Sequence, residues 1–453
     1  MRIPLRSSHT QTLTFTPLTE FLSKIVENEA VVEWEEKRAM AALRAPSAVV
    51  IGVATVFFLL YLLPWQNLPS IQIPSPSPAS YTWRHSAYPA DNSNKLQREW
   101  TFRASDLDLL NANAVPTGMI TYRAIRDTGI VFNASGSDVL VILHIQKTGG
   151  TSFEKHIVQD LDLEKPCICW KRRKRCKCPR PALSSSVEAK NENVDSWLFS
   201  RFSTGWICGL HADWTELTSC VDEELKRAHG SSVKRRYFYV TMIRDPIHRF
   251  LSEFRHVQRG ATWKASRHIC QKQYATADEL GSCYSGRSWV GVSLKEFMSC
   301  PHNLAFNRQT RMLADLSLIG CYNKSYMPTP ERNRIMLASA KRNLEAMAFV
   351  GLTEQQKISQ YVFEETFKLR FKIPFTQNED TYSKATLDKA TADELNEVRQ
   401  ANSLDLELYQ YAEQLLNNRF LELKEHDADF DEHYNFLGEK GYHFSWDDIE
   451  NED

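Results

Sequence analysis

Residues 146–152 (QKTGGTS) combine a lysine, two glycines and three hydroxyl side chains between an apolar run and a helical pattern. Glycines let backbone N–H groups approach an anion closely, the N-terminal end of a helix is positive, and Lys147 adds a full charge. The segment is therefore predicted to hold a phosphate-like group. It differs from the nucleoside-triphosphate motif GxxxxGK[ST], because its lysine precedes the glycines. A tight turn without a ligand is the structural alternative.

A second turn with anion-binding residues lies in residues 240–258 (VTMIRDPIHRFLSEFRHVQ). Arg244 ends an apolar run, Pro246 occupies an early helical position that favours proline, and Ser252 falls on the second turn of that helix. A guanidinium and a hydroxyl are good ligands for a second phosphate. An ion pair between Arg244 and Asp245 that fastens the loop is the alternative. Two such turns on one sheet suggest a nucleotide that is phosphorylated at two places.

The elements that must position these turns are three apolar runs: residues 139–145 (VLVILHI), 237–243 (YFYVTMI) and 347–352 (MAFVGL). Each run is followed by a helical stretch. Strands that are apolar on both faces predict an α/β fold with a central parallel sheet flanked by helices. Ligands bind such sheets at the carboxyl ends of the strands, which is where both turns lie.

Composition and one apolar window predict a folded protein with a membrane anchor. The 453 residues include 42% hydrophobic side chains, and the net charge is only −1, so any attraction for a polyanion must be local. Residues 47–63 (SAVVIGVATVFFLLYLL) are uncharged, with Lys37, Arg38 and Arg44 before them and no basic residue after them until Arg84. This asymmetry favours a type II signal-anchor over a core helix or a signal-peptide core.

The residues after this window indicate a secretory lumen. All ten cysteines lie between Cys167 and Cys321, which fits a compartment that permits disulfides. Glycosylation sequons begin at Asn133 and Asn323 on the same predicted side. We therefore predict a single-pass type II protein that resides in the secretory pathway.

A basic run, residues 171–180 (KRRKRCKCPR), holds seven basic side chains in ten positions. In a cytosolic protein it would suggest a nuclear-localisation or nucleic-acid patch. Behind a signal-anchor no nucleic acid is expected, and a polyanionic glycan is the available partner. The Cys-x-Cys pairs around the run predict disulfides that fix this loop, with a zinc site as the alternative.

The domain organisation follows from these features. The sequence predicts a cytosolic tail at 1–45, a transmembrane signal-anchor at 46–63, a Pro/Ser-rich stem at 64–106, a lumenal domain at 107–426 and an acidic, aromatic-containing tail at 427–453. Within the lumenal domain, residues 388–426 have Leu and Tyr spaced by three or four, which predicts long helices that pack on the core.

Four segments resemble one enzyme family. LHIQKTGGTSF at 143–153, LFSRFSTGWICGLHADWTEL at 198–217, RHVQRGATWK at 255–264 and RMLADLSLIGCYN at 311–323 are similar to segments of heparan sulfate 6-O-sulfotransferases. The similarity runs from about Asp138 to about Phe420. It implies a P-loop-like sulfotransferase fold. It also implies transfer of a sulfuryl group from 3′-phosphoadenosine 5′-phosphosulfate (PAPS) to the 6-hydroxyl of glucosamine in heparan sulfate.

The resemblance implies two sets of donor-binding residues. The 5′-phosphosulfate would be held by His144, Ile145, Gln146, Lys147, Thr148, Gly149, Gly150, Thr151 and Ser152, and the 3′-phosphate by Arg244 and Ser252. The segment PFTQNEDTYSK at 374–384 resembles a late loop over the nucleotide. It implies Thr376, Gln377, Asn378, Tyr382 and Ser383 as further contacts.

For the acceptor, the resemblance points to Lys174, Arg175, Arg201, Trp206, His211, His256 and Trp263. Cationic side chains suit the anionic groups of a sulfated glycan, and indole faces pack against sugar rings. The structural alternatives are core tryptophans and histidines that fill a hydrogen-bonding niche.

Chemistry and family together assign two catalytic roles. Sulfuryl transfer requires in-line placement and charge stabilisation more than covalent catalysis. His211 is the predicted base for the sugar hydroxyl, and Lys147 would stabilise charge on the leaving phosphate oxygen. No metal is expected. The rival functions are a sulfotransferase of another acceptor such as chondroitin, tyrosine or a small molecule, a lumenal nucleotide-dependent kinase, and a catalytically silent glycan-binding protein.

Overall fold

The computed structural model describes residues 115–170, 173–180, 195–230, 232–375, 387 and 389–438. In chain order its elements are α1 (Tyr122–Thr128), β1 (Asp138–Leu143), α2 (Gly150–Gln159), β2 (Leu198–Phe199), α3 (Trp214–His229), β3 (Arg236–Ile243), α4 (Pro246–Gln258), β4 (Ile269–Cys270), β5 (Gln273–Tyr274), α5 (Leu294–Ser299), α6 (Arg308–Leu313), a 3-10 turn (Leu316–Ile319), α7 (Thr329–Ala346), β6 (Phe349–Leu352), α8 (Gln356–Phe367), α9 (Ala392–Ala401), α10 (Ser403–His426) and α11 (Phe430–Asn435).

A four-stranded parallel sheet in the order β2-β1-β3-β6 lies at the centre of these elements. Every residue of β1 and β6 is buried, as expected for strands that are covered on both faces. The predicted parallel sheet flanked by helices is confirmed, and three of its strands coincide with the three apolar runs. Strand β2 was not predicted, because two residues are too few to show a strand pattern.

The predicted C-terminal helices are confirmed as α9 and α10, which meet at Asn402. Leu408, Ala412 and Leu416 follow one another at four-residue spacing along α10 and are fully buried in the main hydrophobic core. This spacing places them on one face of the helix. Helix α10 therefore packs on the core formed by α7, α8 and the sheet.

The ten cysteines form five disulfides, so the prediction of disulfides is confirmed and the zinc alternative is wrong. The pairs are Cys167–Cys178, Cys169–Cys176, Cys208–Cys220, Cys270–Cys321 and Cys283–Cys300. Two of them staple the basic run into a short finger, in which Ile168 and Lys177 exchange backbone hydrogen bonds of 2.7 and 2.8 Å. We call residues 167–178 the basic finger.

Several predicted segments lie outside the described residues. They are the cytosolic tail, the signal-anchor at 46–63, the stem, and all five predicted nucleotide contacts between Thr376 and Ser383. Among the helices of the described residues, none has the length and apolar character needed to cross a membrane.

A buried cluster of four charges joins α4, α6 and α10. The Glu253 carboxylate accepts hydrogen bonds from Arg249 at 2.5 Å and from Arg308 Nε at 2.8 Å, and Arg249 Nε lies 3.9 Å from Asp405. Burial alone would raise the pKa of Glu253, but the guanidinium groups of Arg308 and Arg249 outweigh it and lower the pKa to about 2. Asp405 also accepts bonds from the backbone N–H groups of Gln309 and Thr310. The cluster therefore anchors three helices.

Replacing Asp405 tests how much this anchor contributes to stability. Asp405→Ala leaves buried donors without an acceptor and removes a negative charge from beside Arg249, so the free energy of unfolding should fall by about 3–5 kcal/mol. Urea denaturation of the soluble domain measures it. Asp393→Ala, at an exposed position in the first turn of α9, is the control and should change stability by less than about 1 kcal/mol. Equal losses in both variants would contradict the role of the cluster.

Candidate active site

The loop after β1 turns sharply and leads into the N-terminus of α2. Lys147 and Gly149 have left-handed backbones, with φ of 65° and 77°. A Cβ on Gly150 would lie 3.1 Å from the imidazole of His144, so a larger residue there would press on that buried ring. No side chain caps α2. The N–H groups of its first turn are therefore available to an anion, at the segment 146–152 for which the sequence predicts a phosphate-like ligand.

The ends of three strands meet at this loop. Thr353 follows β6; its hydroxyl donates to the carbonyl oxygen of Thr148 at 2.6 Å, and its backbone N–H donates to that of Ile243 at 2.9 Å. Thr148 donates in turn to the carbonyl of Ile145 at 3.0 Å. Thr353 thus ties the first predicted anion loop to the end of β3. Sequence reasoning missed it, because a single threonine after a strand carries no motif.

Arg244 lies at the end of β3 beside the same loop. Its Nη1 donates to the carbonyl of Lys147 at 3.3 Å, and Gln309 fixes its backbone through two hydrogen bonds of 2.9 Å. Burial lowers the pKa of the Arg244 guanidinium from its usual value. The Asp245 carboxylate caps α4 by accepting from the N–H groups two and three residues later, and Ser252 lies half-buried on the same helix. The two predicted anion turns are thus in contact.

Four of the predicted acceptor residues form an aromatic and imidazole cluster next to the donor loop. The ring centre of His211 lies 4.6 Å from Trp206, 5.2 Å from Trp263 and 4.9 Å from His144. The ring centre of His256 lies 5.5 Å from that of Trp263. Residues that are far apart in sequence therefore meet around His211, next to the predicted anion loop.

The surroundings of His211 keep its imidazole neutral. The side chain is buried, its backbone is left-handed with φ of 52°, and Nδ1 lies 3.4 Å from the carbonyl oxygen of His144. Burial, followed by the positive charges of His144, Arg201 and Arg308, lowers the pKa of His211 well below its usual range. With the Nδ1 proton directed at the His144 carbonyl, Nε2 is the atom that can accept a proton.

Lys147 and Arg201 bring positive charge to this cluster. Burial and then the charge of Lys147 lower the pKa of His256 to about 4. The guanidinium of Arg201 lies 5.6 Å from the Trp206 ring centre, and its Nη1 donates to the Thr151 hydroxyl at 3.2 Å. Arg201 therefore connects the predicted anion loop to the predicted acceptor residues.

Two buried carboxylates that the sequence analysis did not identify hold this arrangement in place. Glu154 contacts His144 Nδ1 and accepts from the Arg201 backbone at 3.1 Å. Glu253 accepts from the indole N–H of Trp263 at 2.9 Å. A signal for Glu154 did exist. It lies on the face of α2 that carries Phe153 and Ile157, and a charged residue on an apolar helical face requires a buried partner.

The basic finger lies against the Trp206 loop. Cys176 N donates to the Phe202 carbonyl at 2.6 Å, and the Arg175 side chain packs 3.2 Å from the position of a Cβ on Gly205. Lys174 is exposed on the finger. The structure therefore brings Arg175 beside the aromatic cluster.

The remaining predicted sites lie elsewhere. Asn133 and Asn323 are both exposed, and each side chain accepts from the backbone of the serine two residues later, at 2.9 Å. Among the described residues one group, Glu365, Asp427 and His433, is close enough to share an ion. It lies between α8 and α11, where Lys368 pairs with Glu365 at 2.6 Å.

Comparison with known proteins agrees with this geometry. The model of the sulfotransferase family matches residues 131–412. The chain belongs to the sulfotransferase family. This sulfotransferase is 52% identical over 300 residues to heparan-sulfate 6-O-sulfotransferase 2 of Gallus gallus, covering 65% of the chain and 71% of that protein. It is 53% identical over 289 residues to heparan-sulfate 6-O-sulfotransferase 3-B of Danio rerio, covering 64% and 66%.

Another relative extends well beyond the matched region. Heparan-sulfate 6-O-sulfotransferase 2 of Homo sapiens is 52% identical over 304 residues, which cover 65% of this chain and 47% of that protein. The range of the family model, residues 131–412, includes the whole aromatic cluster and both anion turns. The resemblance that the sequence motifs indicated is confirmed.

The first turn of α3, directly after His211, contains a buried acid pair with a pH-dependent contribution to stability. Asp213 and Glu216 form a capping box, with reciprocal hydrogen bonds of 3.0 Å. Burial raises the pKa of Asp213 to about 6, and burial together with the charge of Asp213 raises that of Glu216 to about 8. The folded sulfotransferase therefore binds more protons than the unfolded chain between pH 4.5, the ordinary value for glutamate, and pH 8.

This pair predicts that the enzyme loses stability as the pH rises through this window. Its contribution is fully present below about pH 4.5 and declines as the pH rises through about 8. Glu216→Gln, which resembles the protonated acid, should flatten the dependence of the unfolding free energy on pH. Denaturation at a series of pH values measures the slope. Glu223→Gln, exposed on the same helix, is the control, and an unchanged slope in Glu216→Gln would refute the prediction.

Proposed function

We propose that this sulfotransferase transfers the sulfuryl group of PAPS to the 6-hydroxyl of glucosamine residues in heparan sulfate. The proposal rests on the contact between the anion loop and the aromatic cluster around His211. A neutral, buried His211 lies against the anion loop on one side and between two tryptophans on the other. The relatives named as heparan-sulfate 6-O-sulfotransferases support the choice of donor and acceptor.

The donor is held by the strand ends. Residues 144–152 wrap the 5′-phosphosulfate through backbone N–H groups, and Arg244 with Ser252 takes the 3′-phosphate. The family resemblance adds Thr376, Gln377, Asn378, Tyr382 and Ser383, which lie outside the described residues, as nucleotide contacts. Phe375, the last described residue before them, packs on Phe153 of α2.

The chemistry needs a base and a cation. The donor supplies an activated sulfuryl group. His211 Nε2 accepts the proton of the sugar hydroxyl as that oxygen bonds to sulfur, and Lys147 offsets the negative charge that develops on the phosphate oxygen that leaves. The neutral form of His211 is the one required, and its lowered pKa provides it at lumenal pH.

The acceptor is held by cations and aromatic faces. Trp206 and Trp263 pack on two sides of His211, and His256 packs on Trp263. The positive charge for sulfate and carboxylate groups is supplied by Arg201, Lys174 and Arg175. We further propose that residues 46–63 anchor the enzyme in the Golgi membrane as a type II protein, with the sulfotransferase domain in the lumen.

Replacing His211 tests the base. His211→Ala should lower kcat by about a hundredfold or more, since general-base catalysis contributes 10²–10⁴-fold. PAPS and heparan sulfate should still bind, and the melting temperature should stay within a few degrees of wild type. Radiolabelled sulfuryl transfer to desulfated heparin with disaccharide analysis, together with calorimetric titration of both ligands, measures these quantities.

The control for His211 is His426→Ala, at an exposed position at the end of α10. Near-normal turnover by a folded His211→Ala protein would remove this residue from the mechanism. A loss of activity that follows only the folded fraction would indicate a structural histidine instead.

Replacing the donor-site cations separates their roles. Lys147→Ala should reduce kcat by about a hundredfold, with a smaller loss of donor affinity, because its charge matters most in the transition state. Arg244→Ala should weaken binding of 3′-phosphoadenosine 5′-phosphate but not of adenosine 5′-phosphate. Calorimetry with both nucleotides measures the difference, and equal losses would contradict the assignment of Arg244 to the 3′-phosphate.

A further inference from the structure

The loop that carries Trp206 begins and ends with a glycine, and an arginine packs on each of them. Gly205 and Gly209 both have positive φ, at 72° and 123°. The Cδ atom of Arg175 lies 3.2 Å from the position of a Cβ on Gly205, and that of Arg267 lies 3.5 Å from the corresponding position on Gly209. Each arginine therefore lays its aliphatic stem over one end of the loop.

The charges of these two arginines are directed to solvent. Both residues are exposed. Within the part of the chain that the structure describes, neither forms an ion pair with a carboxylate, whereas Arg236 pairs with Asp138 at 2.7 Å and Arg180 with Asp195 at 2.9 Å. The polar contact of Arg267 is a bond from Nη1 to the Ile207 carbonyl at 3.5 Å. A guanidinium placed in this way can accept an anionic ligand without breaking an internal ion pair.

Disulfides fix the positions of all three segments. Arg175 precedes Cys176, which pairs with Cys169 in the basic finger. The Trp206 loop contains Cys208, bonded to Cys220 of α3. Arg267 lies just before Cys270, which is bonded to Cys321. Each of the three segments is therefore constrained by a disulfide of its own.

We propose that Arg267 and Arg175 bind anionic groups of one glycan chain at the two ends of the Trp206 loop, on opposite sides of the sugar that reacts. A linear glycan with sulfate or carboxylate groups along its length would contact both guanidiniums while one internal sugar packs beside Trp206 and His211. This inference rests on the proposed function. It assigns a binding role to Arg267 and makes internal sugars the preferred acceptors.

The experiment compares Arg175→Gln and Arg267→Gln on an octasaccharide with several equivalent acceptor sugars. Each substitution should raise KM for the oligosaccharide by about three- to tenfold, since one charge-assisted contact is lost, and leave kcat within about twofold. The slope of the logarithm of the binding constant against the logarithm of the salt concentration should become shallower by about one unit in each variant. Sequencing of the products should show sulfation moving toward one end of the chain in one variant and toward the other end in the other.

The matched control is Arg123→Gln, an exposed arginine of α1 that pairs with Asp127, which should reproduce the wild-type KM and product pattern. Arg267→Lys retains the charge and should recover part of the affinity. If Arg267→Gln matches Arg123→Gln, or if both site variants move sulfation in the same direction, the proposal is wrong. Failure of the proposed function would be distinct, because wild-type enzyme would then form no 6-O-sulfated product from PAPS.

Discussion

Parallel pairing of β1 with β3 and of β3 with β6 is the constraint on which the donor site depends. The pairs Leu143↔Thr241 and Ile243↔Leu352 bring the carboxyl ends of the three strands to one edge of the sheet. The glycine loop, Arg244 and Thr353 directly follow these strand ends, so the register of the strands determines their positions. A shift of β6 by one residue would move Thr353 away from the carbonyl oxygens of Thr148 and Ile243 that it contacts.

The acceptor side is fixed by different means. His211, Trp263 and the basic finger lie outside the strands of the central sheet. Disulfides hold the loops, and buried ions orient the rings. The Glu253 carboxylate belongs to the charge cluster that anchors three helices. It also accepts a hydrogen bond from the indole of Trp263. Stability and acceptor geometry therefore share a residue, and a substitution of Glu253 would affect both.

The sequence predicted what local pattern determines. Three apolar runs, the helix-start glycines and the charge of Lys147 are visible in short windows, and the sheet follows from them. Thr353, Glu154 and Glu253 were missed because their roles arise from contacts across 205, 47 and 10 residues of sequence. Cysteine pairing was predicted in kind but not in connectivity, since spacing alone allows many pairings. Trp206 and His211 were assigned by family resemblance, because an isolated tryptophan or histidine is more often a core residue.

The electrostatics of the site connect base strength with substrate binding. Arg201, Arg308 and His144 lower the pKa of His211, which keeps the imidazole neutral but also makes it a weak base. The same positive field attracts a polyanionic acceptor. In the proposed mechanism, sulfate and carboxylate groups of the glycan that approach Arg201 would offset part of the field that acts on His211 and would raise the pKa of the imidazole. The charge of the proposed acceptor would then strengthen the proposed base, so an uncharged sugar of the same shape would meet a weaker base as well as a weaker binding site.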